Sequence, residues 1–320
     1  MKALQVLAFG EPIAVKDIDM PIPTTGQVRV KIHACGLNFA DLLMQKGTYQ
    51  DTPAPPFTLG MEVAGIVDAI GPNTDGPAIG SRIAVFGGQG GLADYGCFDA
   101  ARCVNIPANM SFTDAAALQI AYGTSHVALD YKAKLQPNET LLVLGAAGGV
   151  GLTAVELGKL MGARVIAVAR GADKLAVAKA AGADHVIDAT TADLRAELKA
   201  LGGVDVVYDP VGGDQFKSAF RACNPEARII VIGFASGDIP QIAANHLLVK
   251  NITVHGFYWG GFLGFKPEVI TDSLGQLLTW YAQGKLHPHV SNAFDFEHAN
   301  EGMQLLRDRK STGKVVIKIQ

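Results

Sequence analysis

The chain has 320 residues, 49% of them hydrophobic and 18% charged, with a formal net charge of −3 at pH 7. So much apolar side chain excludes a disordered protein and suffices for about two domains with cores of their own. The charge balance leaves no electrostatic footprint for nucleic acid or an anionic membrane, so neither is an expected partner.

Met1–Val6 pass straight into strand-like sequence with no charged-then-apolar signal segment, and no apolar run reaches membrane-spanning length; a cytoplasmic location is expected. Up to about Leu118, short β-like segments broken by Pro and Gly follow one another, among them Gln27–Ala34, Glu62–Ile70 and Arg82–Phe86. They predict a compact, mostly antiparallel β domain. Asp41 precedes a short helical stretch, Leu42–Gln45, and is a candidate helix cap. Cys35, Cys97, Cys103 and Cys223 are scattered without Cys-x-x-Cys spacing, which predicts small buried apolar residues rather than disulfides.

From about Gln119 to Phe257 the rhythm becomes strand then helix, repeated. Leu141–Leu144, Arg164–Ala169, His185–Ile187, Val204–Tyr208, Arg228–Ile232 and Ile252–Gly256 read as strands, and six strands so separated predict an α/β doubly wound parallel sheet. Its ligand belongs outside the carboxyl ends of the strands. The first strand discharges into Gly145-Ala146-Ala147-Gly148-Gly149-Val150-Gly151, followed by a helical pattern over Leu152–Met161. Glycines let backbone approach a pyrophosphate closely, and the free N–H groups of a helix N-terminus favour its charge. Ala147, Gly148, Gly149, Val150 and Gly151 are therefore candidate cofactor contacts. The pattern departs from Gly-x-Gly-x-x-Gly at Ala146, and a strand-to-helix turn without ligand stays open as the alternative.

The second strand ends about 20 residues beyond the last glycine, where an acidic side chain would bond the ribose hydroxyls of NADH. Here stand Arg170, Gly171 and Lys174, two cations and a small residue that suit a 2′-phosphate, so NADPH is expected over NADH. Asp173 between them weakens that preference, and solvated loop charges are the plainer alternative. The tail from about Tyr258 holds one or two helices and ends in the strand-like Lys314–Ile319, which has no partner left in the sheet just described and is expected to return to the first domain.

Several stretches together resemble a known family: Ala34–Asp41, Lys46–Tyr49, Pro56–Gly65, Ala146–Gly151, Asp209–Gly213 and Ser311–Lys314. The chain is similar to the zinc-independent quinone oxidoreductase group, which includes zeta-crystallin, of the medium-chain dehydrogenase/reductase superfamily. The resemblance implies a GroES-like catalytic domain built from residues 1–118 and 258–320 around a Rossmann domain of residues 119–257. Zinc-dependent relatives place Cys, His and Cys at the metal; the corresponding positions here are Asn38, Met61 (before Glu62) and Ile120, so no metal is expected.

The same resemblance puts Thr124 under the nicotinamide and Gly233, Phe234 and Ser236 near its carboxamide. It makes Tyr49 the candidate proton or hydrogen-bond donor, with a loop tyrosine packed on Pro53, Pro55 and Pro56 as the alternative. Asn38 is a candidate for bonding the nicotinamide ribose or the substrate oxygen, or else a turn residue bonding its own backbone. Ala189 stands where many relatives place a tyrosine by the adenosine. The edge strand Ile252–Phe257 is expected to pair with its twin in a homodimer. The implied activity is NADPH-dependent reduction of quinones or small enones. An enoyl-thioester reductase and a non-enzymatic, NADPH-binding, crystallin-like or RNA-contacting protein remain as alternatives.

Overall fold

The computed structural model describes residues 1–320, which divide into two compact units, Met1–Ile120 with Leu274–Gln320, and Ala121–Ser273. The first carries strands β1 (Lys2–Val6), β2 (Ala14–Asp17), β3 (Gln27–Leu37), β4 (Phe57–Thr58), β5 (Glu62–Ile70), β6 (Arg82–Phe86), β7 (Tyr95–Asp99) and β8 (Cys103–Asn105). Helix α1 (Phe39–Lys46) follows β3, and α2 (Phe112–His126) carries the chain from the first unit into the second. In the second unit come β9 (Thr140–Val143), α3 (Gly149–Leu160), β10 (Arg164–Ala169), α4 (Ala172–Ala180), β11 (His185–Asp188), α5 (Leu194–Ala200), β12 (Val204–Asp209), α6 (Gly213–Ala222), β13 (Cys223–Val231), α7 (Ala244–Lys250), β14 (Thr253–Gly256) and α8 (Phe262–Phe265). Helix α9 (Glu268–Ala282) leads back to the first unit, which β15 (Val290–Asp295), α10 (Ala299–Arg307) and β16 (Lys314–Lys318) complete.

The first unit is organised around β3, whose alternation buries Val28, Val30 and Ile32 completely while the residues between them stay half-exposed. Fully burying each such side chain stabilises the fold by about 1.5–3 kcal/mol. Strand β3 pairs antiparallel with β5, β7 and the returning β16, as the sequence pattern of the tail predicts. Gly36 on β3 faces both Ala116 of α2 and the Glu62 carboxylate so closely that a Cβ there would overlap them.

The second unit holds a six-stranded parallel sheet in the order β11-β10-β9-β12-β13-β14. Strand order reverses between β9 and β12, which is where a doubly wound sheet opens a crevice at its carboxyl end. Strands β9 and β10 are apolar almost throughout because helices cover both faces, so alternation disappears. On α3, Gly158 lets the helix lie against Leu141 and Val165. No helix is long and apolar enough to cross a membrane.

Three details depart from the sequence reading. Helix α1 begins at Phe39 with Asn38 as its N-cap, so Asp41 is not the cap; its carboxylate reaches back to the Asn38 N–H at 2.7 Å, half of a capping box. Strand β13 starts at Cys223 rather than Arg228, because a bulge absorbs residues 224–227 and Glu226 takes a positive φ of 63°. Residues 258–273 group with the second unit: the Trp259 indole lies on Gly123, Phe262 packs edge-on to Tyr131, and His126 Nδ1 bonds Ser273 Oγ at 2.9 Å.

Candidate active site

In the second unit, the loops at the carboxyl ends of β9, β10, β12 and β13 converge. Gly145 takes φ +59°, a left-handed conformation that a β-carbon disfavours, and turns the chain toward α3. This glycine supplies the tight turn that the departure at Ala146 left in question. Gly148 caps α3 in extended backbone, and a Cβ on Gly151 would overlap the Gly145 carbonyl. Gly148, Gly149 and Val150 are half-exposed at the start of a 12-residue helix, so its first N–H groups face outward where the macrodipole is positive.

Buried hydroxyls hold that loop. Ser125 Oγ donates to Val150 C=O at 2.9 Å and lies 2.8 Å from Thr153 Oγ1 and 2.9 Å from the fully buried Tyr208 Oη. Thr153 Oγ1 also reaches Ala121 C=O at 3.1 Å. Ser125 therefore ties α2 to the α3 N-terminus, with Thr124 beside it, 7% exposed. Tyr122 Oη bonds the Glu156 carboxylate of α3 and fixes the same pair of helices.

The β12 loop is set by Asp209, 1% exposed, whose carboxylate accepts from Val211 N–H at 2.7 Å and Gly212 N–H at 2.9 Å. Burial raises the Asp209 carboxyl above the usual carboxylate range, and these two N–H bonds oppose the rise. Its loop pairs with the one after β13 through Ala235 N–H to Pro210 C=O and Ser236 N–H to Val211 C=O, which places Gly233, Phe234 and Ser236 beside Val211, itself packed at Gly145. Phe234 is 40% exposed there. Arg170 is exposed at the end of β10, directly after the strand that pairs with β9, and Lys174 lies one turn into α4. Gly171, at φ +80°, donates to Asp188 of β11.

In the first unit, a buried ionic cluster surrounds Asn38. The sheet register sets Gly36 of β3 opposite Glu62 of β5 on one side and Val316 of β16 on the other, which brings Lys314 beside Leu37 and Asn38. Lys314 Nζ donates to Glu62 Oε1 at 2.6 Å, Asn38 Oδ1 at 2.7 Å and Leu37 C=O at 2.9 Å. Glu62 Oε1 also accepts from Asn38 Nδ2 at 2.9 Å, and its Oε2 accepts from the Ile120 N–H at 2.8 Å. Glu62 is 0% and Lys314 4% exposed. Tyr49 is half-buried against the core of the same unit, with its carbonyl taken by Thr52.

Sequence reasoning misses Glu62 and Lys314 as site residues. The glutamate is visible there only as the neighbour of Met61 and the lysine only as the end of Ser-Thr-Gly-Lys, and they stand 252 residues apart. Asn38, Met61 and Ile120 offer one amide, one thioether and one alkyl chain, a donor set that does not fit tetrahedral zinc. No group of three His, Cys, Asp or Glu side chains is arranged to hold a metal ion, and the one carboxylate at the position is already paired with the protein's own cation.

Asp41 is wholly buried beside this cluster, and burial pushes its carboxyl up to about 7, although the Asn38 N–H bond and the Lys314 charge pull the other way. Residues 24–108 match the family Alcohol dehydrogenase GroES-like domain and residues 149–278 the family Zinc-binding dehydrogenase. The chain is 40% identical over 323 residues to a quinone oxidoreductase-like protein 2 homolog of Nematostella vectensis, covering 99% of this chain and 88% of that protein. It is 36% identical to quinone oxidoreductase-like protein 2 of Bos taurus, covering 97% and 90%. Among solved structures, the quinone oxidoreductase of Thermus thermophilus, also solved with NADPH, superposes with a TM-score of 0.87 at 33% identity, covering both chains completely. The Escherichia coli quinone oxidoreductase complexed with NADPH gives 0.92 at 26% identity, again over both whole chains.

The raised Asp41 carboxyl generates a pH test. The unfolded carboxyl ionises near its ordinary value while the folded one keeps its proton to about 7, so this group's contribution is complete below about pH 4 and is lost as pH rises to about 7. Asp41→Asn, which still offers the Asn38 N–H an acceptor, is expected to lose less stability than the native protein over that window. Urea unfolding across the window measures it, and parallel profiles for the two proteins would count against a buried, protonated Asp41. On the covering relatives, the paired family matches and the shared architecture, the chain belongs to the zinc-independent quinone oxidoreductase group of the medium-chain dehydrogenase/reductase superfamily.

Proposed function

We propose that this protein is an NADPH-dependent, zinc-independent reductase of quinones or small α,β-unsaturated carbonyls, working in the cytoplasm. The observation that carries the reading is the Gly145–Gly151 turn into α3 with Arg170 and Lys174 at the end of the adjoining strand. The turn fits a dinucleotide: with no Cβ at Gly151 the loop lies directly on the first turn of α3, and the helix N–H groups beyond Gly148 are free of intrahelical partners. When bound, NADPH supplies a hydride equivalent.

The chain's own residues do the rest. Gly149, Val150 and Gly151 hold the pyrophosphate with backbone N–H groups, Gly148 lets it approach the helix start closely, and Ala147 supports the turn from below. Arg170 and Lys174 hold the 2′-phosphate, and a guanidinium does so with two parallel hydrogen bonds. Thr124 and the Gly233, Phe234 and Ser236 backbone position the nicotinamide end, and Asn38 adds a contact there. Tyr49 donates a hydrogen bond, and then a proton, to the substrate oxygen. A quinone or enone spreads the incoming charge onto that oxygen, where one hydrogen-bond donor stabilises it.

Edge strand β14 pairs only with β13, and Leu248 and Val249 on the adjacent α7 are 76% and 75% exposed. We propose that two copies join along this edge as a homodimer, for which light scattering at micromolar concentration should give twice the chain mass; a monomer would overturn it.

Purified protein should oxidise NADPH against a quinone or a simple enone with chelator present. Turnover on an enoyl-CoA alone would move it to acyl metabolism, and tight NADPH binding with no turnover on any acceptor would leave a binding protein. Tyr49→Phe is expected to lower kcat by about 10²-fold with NADPH affinity unchanged, as for a lost general acid; an unchanged rate removes Tyr49 from the chemistry. Arg170→Ala should raise the KM for NADPH by about tenfold, roughly the worth of one charge-assisted contact, and leave that for NADH alone. Equal effects on both cofactors would make Arg170 a solvated loop charge.

A further inference from the structure

Behind the first turn of α3 the hydroxyls of Ser125, Thr153 and Tyr208 meet in the interior of the second unit, and each has a single proton to donate. Two peptide carbonyls face them and can only accept. Val150 C=O lies 2.9 Å from Ser125 Oγ and 3.0 Å from Thr153 Oγ1, and Ala121 C=O lies 3.1 Å from Thr153 Oγ1. Tyr208 Oη has one partner, Ser125 Oγ at 2.9 Å. Were the phenol to accept there, its own buried proton would have no acceptor, so Tyr208 donates to Ser125. Ser125 then passes its proton toward Val150 C=O, directly or through Thr153 Oγ1 at 2.8 Å. Donation runs one way, from β12 through α2 to a carbonyl of α3.

Val150 C=O and Gly151 N–H belong to one planar trans peptide, so they point in opposite directions. With the carbonyl held among the hydroxyls, the N–H is held pointing out of the helix N-terminus, where no intrahelical carbonyl stands. A hydrogen bond accepted by a peptide carbonyl also polarises the N–H of that peptide, by about 10–30% per bond. We infer that Tyr208 and Ser125 are positioning residues that aim and polarise the Val150–Gly151 peptide, making Gly151 N–H a strengthened donor to the pyrophosphate of the dinucleotide. The inference rests on the dinucleotide reading of this turn and deepens it. Because the pyrophosphate is common to NADPH and NADH, the hydroxyl relay sets the affinity for both cofactors alike. The choice between them stays with Arg170 and Lys174.

The test is binding rather than turnover, read by calorimetry on the whole chain with two fragments of the cofactor. ADP-ribose carries the pyrophosphate and 2′-AMP does not. Ser125→Ala should weaken ADP-ribose binding by about fivefold, and Tyr208→Phe, which removes only the donor behind it, by about threefold, as fractions of one charge-assisted bond. The affinity for 2′-AMP should stay within about 1.5-fold in both variants, since it makes no bond to this peptide. Combining the two changes should cost no more than Ser125→Ala alone, because Tyr208 acts through Ser125. Equal losses on both fragments would show that the hydroxyls merely hold the fold. Unchanged ADP-ribose affinity, or losses that multiply, would show that no relay reaches the phosphate, and each of these results overturns the inference.

A second measurement needs no ligand. The sequence holds two Val–Gly peptides, Val150–Gly151 and Val211–Gly212, so protein labelled with 13C-carbonyl valine and 15N-glycine gives two coupled signals. The one that survives Val211→Ala belongs to Gly151. In Tyr208→Phe and Ser125→Ala the Val150 carbonyl carbon and the Gly151 nitrogen should both move upfield, as for a carbonyl that has lost a hydrogen bond and its polarisation. Unmoved signals would overturn the inference even where ADP-ribose affinity falls. Native protein that binds neither ADP-ribose nor NADPH would sink the dinucleotide reading and the inference with it, whereas a missing variant effect in a protein that binds both sinks the inference alone.

Discussion

The first unit depends on one buried ion pair. Glu62 and Lys314 meet at 2.6 Å with almost no exposure, and through them three distant parts of the chain are joined: β5, the turn from β3 into α1, and β16. A fourth bond, from Ile120, brings in α2. Burying two charges is costly, and the mutual attraction offsets that cost only when the remaining hydrogen-bonding capacity is used. Here every donor of the ammonium has an acceptor, and both carboxylate oxygens have donors. Removing one partner alone would leave an uncompensated charge, at a cost of about 3–5 kcal/mol. Such a pair contributes little net stability compared with apolar packing, so its retention makes sense where orientation counts, and the side chain it orients is Asn38.

Gly36 makes the arrangement possible. Its missing side chain admits the Glu62 carboxylate and the Ala116 backbone on the same side of β3, so a central strand carries a charge without opening the sheet. At the C-terminal end, Gly313 plays a comparable part: its positive φ of 56° and its contact with the His289 backbone turn the chain into β16 with Lys314 pointing inward.

In the second unit the corresponding constraint is steric rather than electrostatic. The Gly145 carbonyl sits where a Cβ on Gly151 would be, so the loop and the first turn of α3 touch backbone to backbone. That contact leaves the first N–H groups of the helix open, and Ser125, Thr153 and Tyr208 hold the helix start from behind with a buried hydroxyl network. Burial raises the Tyr208 phenol well above its ordinary range, so it serves as a neutral hydrogen-bonding group. The loops after β12 and β13 are closed on each other by Asp209 and by backbone bonds, which rigidifies the carboxyl end of the sheet around the switch point.

The parallel sheet is legible in the chain because its strands are short apolar runs separated by helical patterns, and that signal is local. The glycine-rich loop is legible for the same reason, although the left-handed residue is Gly145 and not the position aligned with Ala146. The return of β16 can be read from a strand left without a partner. What a linear reading misses depends on contacts between residues far apart in the chain. Residues 258–273 join the second unit because Trp259 packs on Gly123 and Ser273 bonds His126, and no periodicity announces either contact. Asp41 looks like a cap because caps are defined by neighbours, whereas its burial and its bond back to Asn38 follow from the sheet beneath it. The fold class, the dinucleotide-type turn and a side-chain set unfit for zinc are written in the linear chain, since all three follow from short-range pattern and residue chemistry. The setting of Asn38 between Glu62 and Lys314 is not, because strand register in the folded molecule is what brings residues 252 positions apart within one hydrogen bond.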